Sequence, residues 1–223
     1  RAVTGPAAIE VAKFPAHLAI AVHDAPRRDA LLDESIARLT TEIGADHPAT
    51  LLIRALAGRL TADPARAVER LEPACRAYSS LHAARGEPVA NCWFELGWLA
   101  SERGDDAALV EAMSEVDRTA ATGGDPVTVA LARAYLALAR GDPAGSRRAF
   151  IDVRHQLGPL AGQPWWVGWY AVEAQLGEAL ALRAVRPRDA EATLERARSE
   201  AEAIVAGQPA AQFARRLARI QLE

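Results

Sequence analysis

Helix-breaking residues recur along this chain at short, even intervals, and nothing that needs long uninterrupted elements can be built from it. The breaks fall at Ala25-Pro26, Gly44 to Pro48, Ala62-Asp63-Pro64, Gly86-Glu87-Pro88, Gly104-Asp105, Gly123 to Pro126, Gly141-Asp142-Pro143, Gly158 to Pro164, Arg186-Pro187 and Gly207-Gln208-Pro209. In a Gly-Asp-Pro string, Gly suits the left-handed end of one helix, Asp caps the next, and Pro fits the first turn. The segments between breaks carry helical periodicity. Leu52, Ala55, Leu56 and Leu60 form one such stripe, and Val89, Trp93, Leu96, Gly97 and Ala100 another. Val127, Leu131, Ala134, Tyr135 and Leu138 form a third. No segment alternates with the period of a strand. Composition agrees, because half the residues are hydrophobic and the basic residues are Arg with the single exception of Lys13. The pattern predicts ten or eleven helices joined by short turns. The first, around 7–23, is expected to kink or split at Pro15.

The helices pair, and the pairs repeat. Gly104 to Gly141 is 37 residues, and Met113 to Phe150 is also 37. Two independent landmarks with one period indicate stacked hairpins rather than an arbitrary bundle. Gly97, Gly177 and the neighbouring Ala residues are expected to let helices approach closely, with Trp93, Leu96, Leu109 and Met113 filling the space between layers. A first pair runs from about 6 to 43. A last helix over 209–222 presents Phe213, Leu217 and Ile220 on one side and Arg215, Arg216 and Arg219 on the other, which suits a cap that closes the stack.

Trp93-x2-Leu96-Gly97, the small-to-large pairs Ala67/Leu71 and Ala190/Leu194, and the junction Gly44 to Leu51 resemble the tetratricopeptide (TPR) repeat family, the junction being similar to its kinesin-light-chain-like subgroup. The resemblance implies an all-α fold: a right-handed α-solenoid of about five TPR-like hairpins plus the C-terminal capping helix. On that division residues 1–25 form an N-terminal helix or kinked segment, 26–206 the array and 207–223 the cap, all in one domain. The family's groove lies one position beyond the packing stripe. Carried onto this sequence, the partner-binding positions are Phe94, Trp98, Ser101, Leu131, Tyr135, Leu138, Tyr170 and Glu178, with Leu52, Leu56, Arg59, Asn91, Thr128 and Ala174 beside them. Trp98 and Tyr135 stand 37 apart, as do Phe94 and Leu131, so the resemblance implies an aromatic and apolar strip suited to an extended peptide or an amphipathic helix. Packing against neighbouring helices is the competing role for the same aromatic side chains. The Lys/Asn pattern that clamps a C-terminal carboxylate in some family members is absent. The run Pro164-Trp165-Trp166-x2-Trp169-Tyr170, with Arg in place of Lys, also resembles arrays that follow the catalytic domain of Ser/Thr protein kinases in Myxococcus-type bacteria. In that cluster Trp166 and Trp169 continue the stripe of Glu173, Leu176 and Leu180, and are expected in the core.

Other functions find little support. A net charge of −3 and short basic pairs give no footprint for nucleic acid. No apolar run approaches the roughly 20 residues of a membrane span, and no signal peptide is visible. The chain opens on Arg1 without Met, which suggests a piece of a longer protein. The five His residues are scattered, with His17 and His23 at no metal-binding spacing, so no zinc or other cofactor is expected. No nucleophile elbow or phosphate loop appears, and the fragment is expected to be non-catalytic. Cys75 and Cys92 read as free buried thiols before a disulfide, which favours the cytoplasm. The expected function is therefore a protein-interaction scaffold or sensor of a larger bacterial signalling protein, with a Ser/Thr kinase as its expected context. A sensor domain of a transcription activator or a secretion adaptor is the alternative.

Overall fold

The computed structural model describes residues 5–22, 24–61, 63–81, 87–158, 165–183 and 185–207. Among them are ten α-helices and no strand. They are α1 (Pro6–Ile20), α2 (Ala25–Ile43), α3 (Pro48–Leu60), α4 (Pro64–Ser80), α5 (Glu87–Glu102), α6 (Asp106–Arg118), α7 (Pro126–Ala139), α8 (Pro143–Leu157), α9 (Trp165–Arg183) and α10 (Pro187–Gly207). A 3₁₀ turn over Thr119–Thr122 extends α6. The punctuation acts as its chemistry requires. The carboxylates of Asp24, Asp63, Asp105, Asp125 and Asp142 each accept a backbone N–H three residues on, at 2.7–3.0 Å. Each satisfies one donor that the first helical turn leaves open. His47 caps α3 in the same manner through Nδ1, at 3.1 Å from the Ala49 N–H.

Each odd helix packs against the even one that follows, and each even helix then meets the next odd one. The first helices of successive hairpins also touch along the row: α1 with α3, α3 with α5, α5 with α7, α7 with α9. The second helices of the first two hairpins are joined by long side chains, with Arg66 and Arg70 of α4 bridging Asp29 and Asp33 of α2 at 2.6–3.2 Å. The result is an α-solenoid of five hairpins with its first helices on the inner side of the stack.

The core is divided along the array. Leu51 and Ala55 of α3 belong to a large cluster that runs to Ala174 of α9. Ile53, Ala57 and Leu60, on another side of α3, pack with Ala12, Ala16, Ala19, Leu32 and Leu39 of the first hairpin. Trp169, Val172 and Leu176 of α9 close a third cluster with Ala201 of α10. Trp169 therefore takes the core place expected of it; the side chains of Trp165 and Trp166 lie outside the described residues. Close approach depends on Gly58, whose added Cβ would stand 2.9 Å from the Leu71 Cβ, and on two glycines further along. A Cβ on Gly97 would stand 2.4 Å from the Met113 methyl, and one on Gly177 would stand 2.2–2.6 Å from the Phe150 ring. Met113 and Phe150, the period landmarks, are thus the side chains that fill the space the glycines leave. Gly97 receives Met113 from its own hairpin, whereas Gly177 receives Phe150 from the preceding one.

Two expectations need correction. α1 runs unbroken through Pro15, at residue ten of a fifteen-residue helix. The expected split is therefore absent, and the helix's inward face of Ala12, Ala16 and Ala19 packs into the core of the first hairpin. The free-thiol reading also fails, because Cys75 of α4 and Cys92 of α5 form a disulfide. Consecutive helices bring their Cα atoms to 5.4 Å, and both side chains are buried. Disulfides persist in oxidising compartments, so the thiol argument for the cytoplasm falls with it. The expected cap over 209–222, with Phe213, Leu217 and Ile220, lies outside the described residues, as does His23.

This packing sets two expected outcomes. Gly177→Ala lowers unfolding free energy in urea by about 2–3 kcal/mol, because an aromatic ring cannot yield to the new methyl. Gly97→Ala costs less, since the flexible end of Met113 can move aside, and Phe150→Leu restores much of the loss in Gly177→Ala. Reduction of Cys75–Cys92, which closes a separation of 17 residues, removes about 3 kcal/mol on the chain-entropy model. Paired melts with and without dithiothreitol measure it.

Candidate functional site

The inner side of the first helices is where the expected binding positions converge, and the structure divides them. Trp98 is 1% exposed, Tyr135 2%, Leu131 0%, Phe94 4% and Glu178 5%. Ser101, Leu138 and Tyr170 are half-buried. The exposed aromatic strip does not exist, so the binding positions at Phe94, Trp98, Leu131, Tyr135 and Glu178 are closed to a partner in this arrangement. The reason is the tightness of the stack. Residues equivalent by the 37-residue period meet neighbours from their own and from other hairpins instead of solvent.

Tyr135 shows this packing directly. Its ring stands edge-on to Phe150 of α8 at 5.0 Å between centroids and to Phe94 of α5 at 6.3 Å. Such edge-to-face contacts add to the burial that already stabilises the stack. Trp98 of α5 spans further: its indole Nε1 donates to Glu173 Oε2 of α9 at 3.0 Å, across 75 residues of sequence. Glu173 is itself only 2% exposed. Glu178 turns the other way, toward α8, where Arg147 and Arg154 approach it at 3.2 and 3.4 Å.

Polar links continue along the same side. Arg59 of α3 reaches Glu95 of α5 at 3.4 Å. Asp125, besides capping α7, accepts the Thr128 hydroxyl at 2.7 Å, and that hydroxyl oxygen lies 3.1 Å from the Tyr170 phenol of α9. Burial pushes the Tyr170 phenol above its ordinary pKa; the Asp125 charge adds to this, while the Thr128 contact and the Arg59 charge oppose it. Arg59, which begins on the second hairpin, is therefore felt by a residue of the fifth.

Sequence reasoning misses Glu95, Glu173 and Gln175 as buried polar positions that link helices. The signal is present: α9 is apolar on nearly every side, so a Glu or Gln in it must find a partner or carry a heavy desolvation cost. Glu173 finds the Trp98 indole and Gln175 finds Glu200 at 2.7 Å. Ala174, beside the groove positions, is fully buried. Leu52 is 50% exposed, and Leu56, Arg59 and Asn91 are half-buried, so α3 carries the most exposed of these positions.

Among the described residues no group of His, Cys, Asp and Glu is placed to hold a metal ion, and no helix is long and apolar enough to cross a membrane.

No family model matches the chain, and no curated protein matches it. Among solved structures, two forms of the nearly identical TPR-like repeats of a kinesin light chain from Podosopora anserina are similar to it in fold. One, a form carrying a single substitution, superposes with a TM-score of 0.61 at 17% identity, covering 89% of this chain and 97% of that one. The other gives 0.59 at the same identity and coverage. The chain has the fold of a TPR-like repeat solenoid.

The burial of Trp98 generates a prediction opposite to that for a surface anchor. Trp98→Ala lowers stability by roughly 3–5 kcal/mol in denaturant titration, as for other large core truncations. A melting temperature equal to that of the unaltered chain would show the indole to be outside the core.

Proposed function

We propose that this chain is a non-catalytic protein-interaction scaffold or sensor. It takes a peptide or helix along the open part of its inner side and serves a larger bacterial signalling protein with a Ser/Thr kinase. The observation that carries the reading is the stripe Leu52, Leu56 and Arg59 on α3. These residues follow one helical face, and Leu52 leaves half of its surface in water. Arg59 fixes which way that face looks, since it meets Glu95 on the next first helix. An apolar pair beside a half-exposed guanidinium offers a partner burial and one charge-assisted hydrogen bond. Ser101, Leu138 and Tyr170 remain partly accessible further along and extend the proposed surface. The kinase context is supported by the tryptophan-rich run at 164–170 and by the use of Arg over Lys.

Peptides selected on the immobilised chain by phage display test the surface. Leu52→Asp and Arg59→Glu each weaken the selected peptides about tenfold or more, equivalent to about 1.4 kcal/mol. Val185→Asp, at a residue 65% exposed on the α9–α10 turn, leaves them unaffected. Selected peptides indifferent to both α3 substitutions would overturn the reading. The gene beyond Arg1 tests the context: a kinase catalytic domain there supports it, and a helix-turn-helix after the array favours a transcription activator.

A further inference from the structure

The first helix of the array keeps an apolar row in water. Val11, Phe14 and Leu18 of α1 are 52%, 65% and 43% exposed, and their spacing puts them on one side of the helix. Single apolar residues on a surface are ordinary, whereas a row of three large ones asks for a partner. The register of the stack shows what the row is. Leu51 and Ala55 of α3 cluster with Ala67 and Leu71 of α4, and Gly58 abuts Leu71. Two residues beyond that set come Ile53, Ala57 and Leu60, which pack on the preceding hairpin. On α1 the inner set is Ala12, Ala16 and Ala19, with the Ser35 hydroxyl of α2 donating to the Ala12 carbonyl at 2.6 Å. Two residues beyond it come Phe14, Leu18 and Ala21. Phe14 thus takes the place that Ile53, 2% exposed, takes on α3. The row repeats the hairpin-to-hairpin contact face at the α1 end of the array. A cleft of about 560 Å³ between α1 and α2, beside Val11, widens it.

The order of residues along the row points to its occupant. Read from either end it runs small, aliphatic, aromatic, aliphatic, small: Ala7, Val11, Phe14, Leu18 and Ala21, all exposed. Ala21 is the C-cap and keeps helical backbone angles. The two alanines each stand seven residues from Phe14, and the steps of four and three are those of a coiled-coil seam. An identical helix laid antiparallel would set Phe14 on its own counterpart, Val11 on Leu18 and Ala7 on Ala21. The flank of the row is arranged in the same way. Glu10 and His17, both exposed, lie along one side of it, and antiparallel pairing brings the carboxylate of one copy to the imidazole of the other. Glu10 meets Lys13 at 2.9 Å on the surface, a contact that costs little to share. A row that matches its own reverse in size and in polarity suits a twofold contact, in which one patch meets itself.

We propose that this face is the contact of a homodimer, in which α1 pairs antiparallel with α1 of a second copy across a twofold axis. Such a contact closes at two chains, whereas an end-to-tail contact would run on as a filament. It is one helix wide, at the small end of specific interfaces, so pairing is expected at micromolar and not nanomolar concentrations. The inference stands apart from the peptide-binding reading, which uses α3.

Sedimentation equilibrium of the full chain, from about 5 to 300 μM, tests it. The expected result is a reversible monomer–dimer equilibrium. Phe14→Asp raises the dissociation constant about tenfold or more, with the melting temperature in dilute solution unchanged. Val11→Lys does the same if Phe14→Asp fails to fold, and Leu52→Asp leaves the dimer as it was. Direction is read by oxidative cross-linking: a mixture of Glu10→Cys and His17→Cys chains joins faster than either chain alone. A monomer at every concentration overturns the second copy and leaves the face to a helix of another protein. A dimer that survives both α1 substitutions overturns the face as its contact. Faster joining of Glu10→Cys or His17→Cys chains alone than of the mixture, or growth beyond two chains, overturns the antiparallel twofold pairing.

Discussion

A pair of helices in this chain carries more apolar surface than the pair can cover. Everything else in the structure depends on how that excess is hidden. Leu51 and Ala55 of α3 turn into one cluster while Ile53, Ala57 and Leu60 turn into another, so a single helix serves two cores. α9 does the same for Ala174 on one side and Trp169, Val172 and Leu176 on another. Stability in such an array is shared among neighbouring interfaces, without one central core. The small residues facing Met113 and Phe150 set how closely those interfaces can approach.

Much of this was legible before any coordinates. Asp-Pro and Gly-Asp-Pro boundaries act within a few residues of themselves, so the starts of α4, α7 and α8 could be placed by local chemistry alone. The 37-residue spacing of Met113 and Phe150 places a large buried side chain on the second helix of two successive hairpins, and that too is written in one dimension. The inner side was not legible in the same way. Trp98 and Tyr135 have equivalent positions in the repeat, but whether such positions face water depends on how sharply the stack curves. Curvature is the sum of small rotations between hairpins, and no single residue records it. The disulfide was hidden for a related reason: Cys75 and Cys92 lie on two helices that belong to different hairpins, and their proximity depends on how those hairpins stack.

The buried polar residues make the inner side more than a wall. Arg59 with Glu95, Trp98 with Glu173, and Asp125 with Thr128 and Tyr170 link α3, α5, α7 and α9 by directional contacts laid over apolar packing. Hydrophobic contact alone tolerates sliding, whereas hydrogen bonds between buried groups hold one alignment of successive helices. A solenoid held this way offers its partner a preformed surface, and less ordering is needed when the two associate.

The placement of Cys75 and Cys92 also governs how the molecule comes apart. The bond joins the second helix of one hairpin to the first helix of the next, so it staples a boundary between units and leaves the interior of each unit unstapled. In a linear array, fraying starts at the ends and advances inward one hairpin at a time. A covalent tie across the second boundary couples the second and third hairpins and favours their loss together. Under heat the first and the last pairs, which carry no such tie among the described residues, would be lost before the linked second and third.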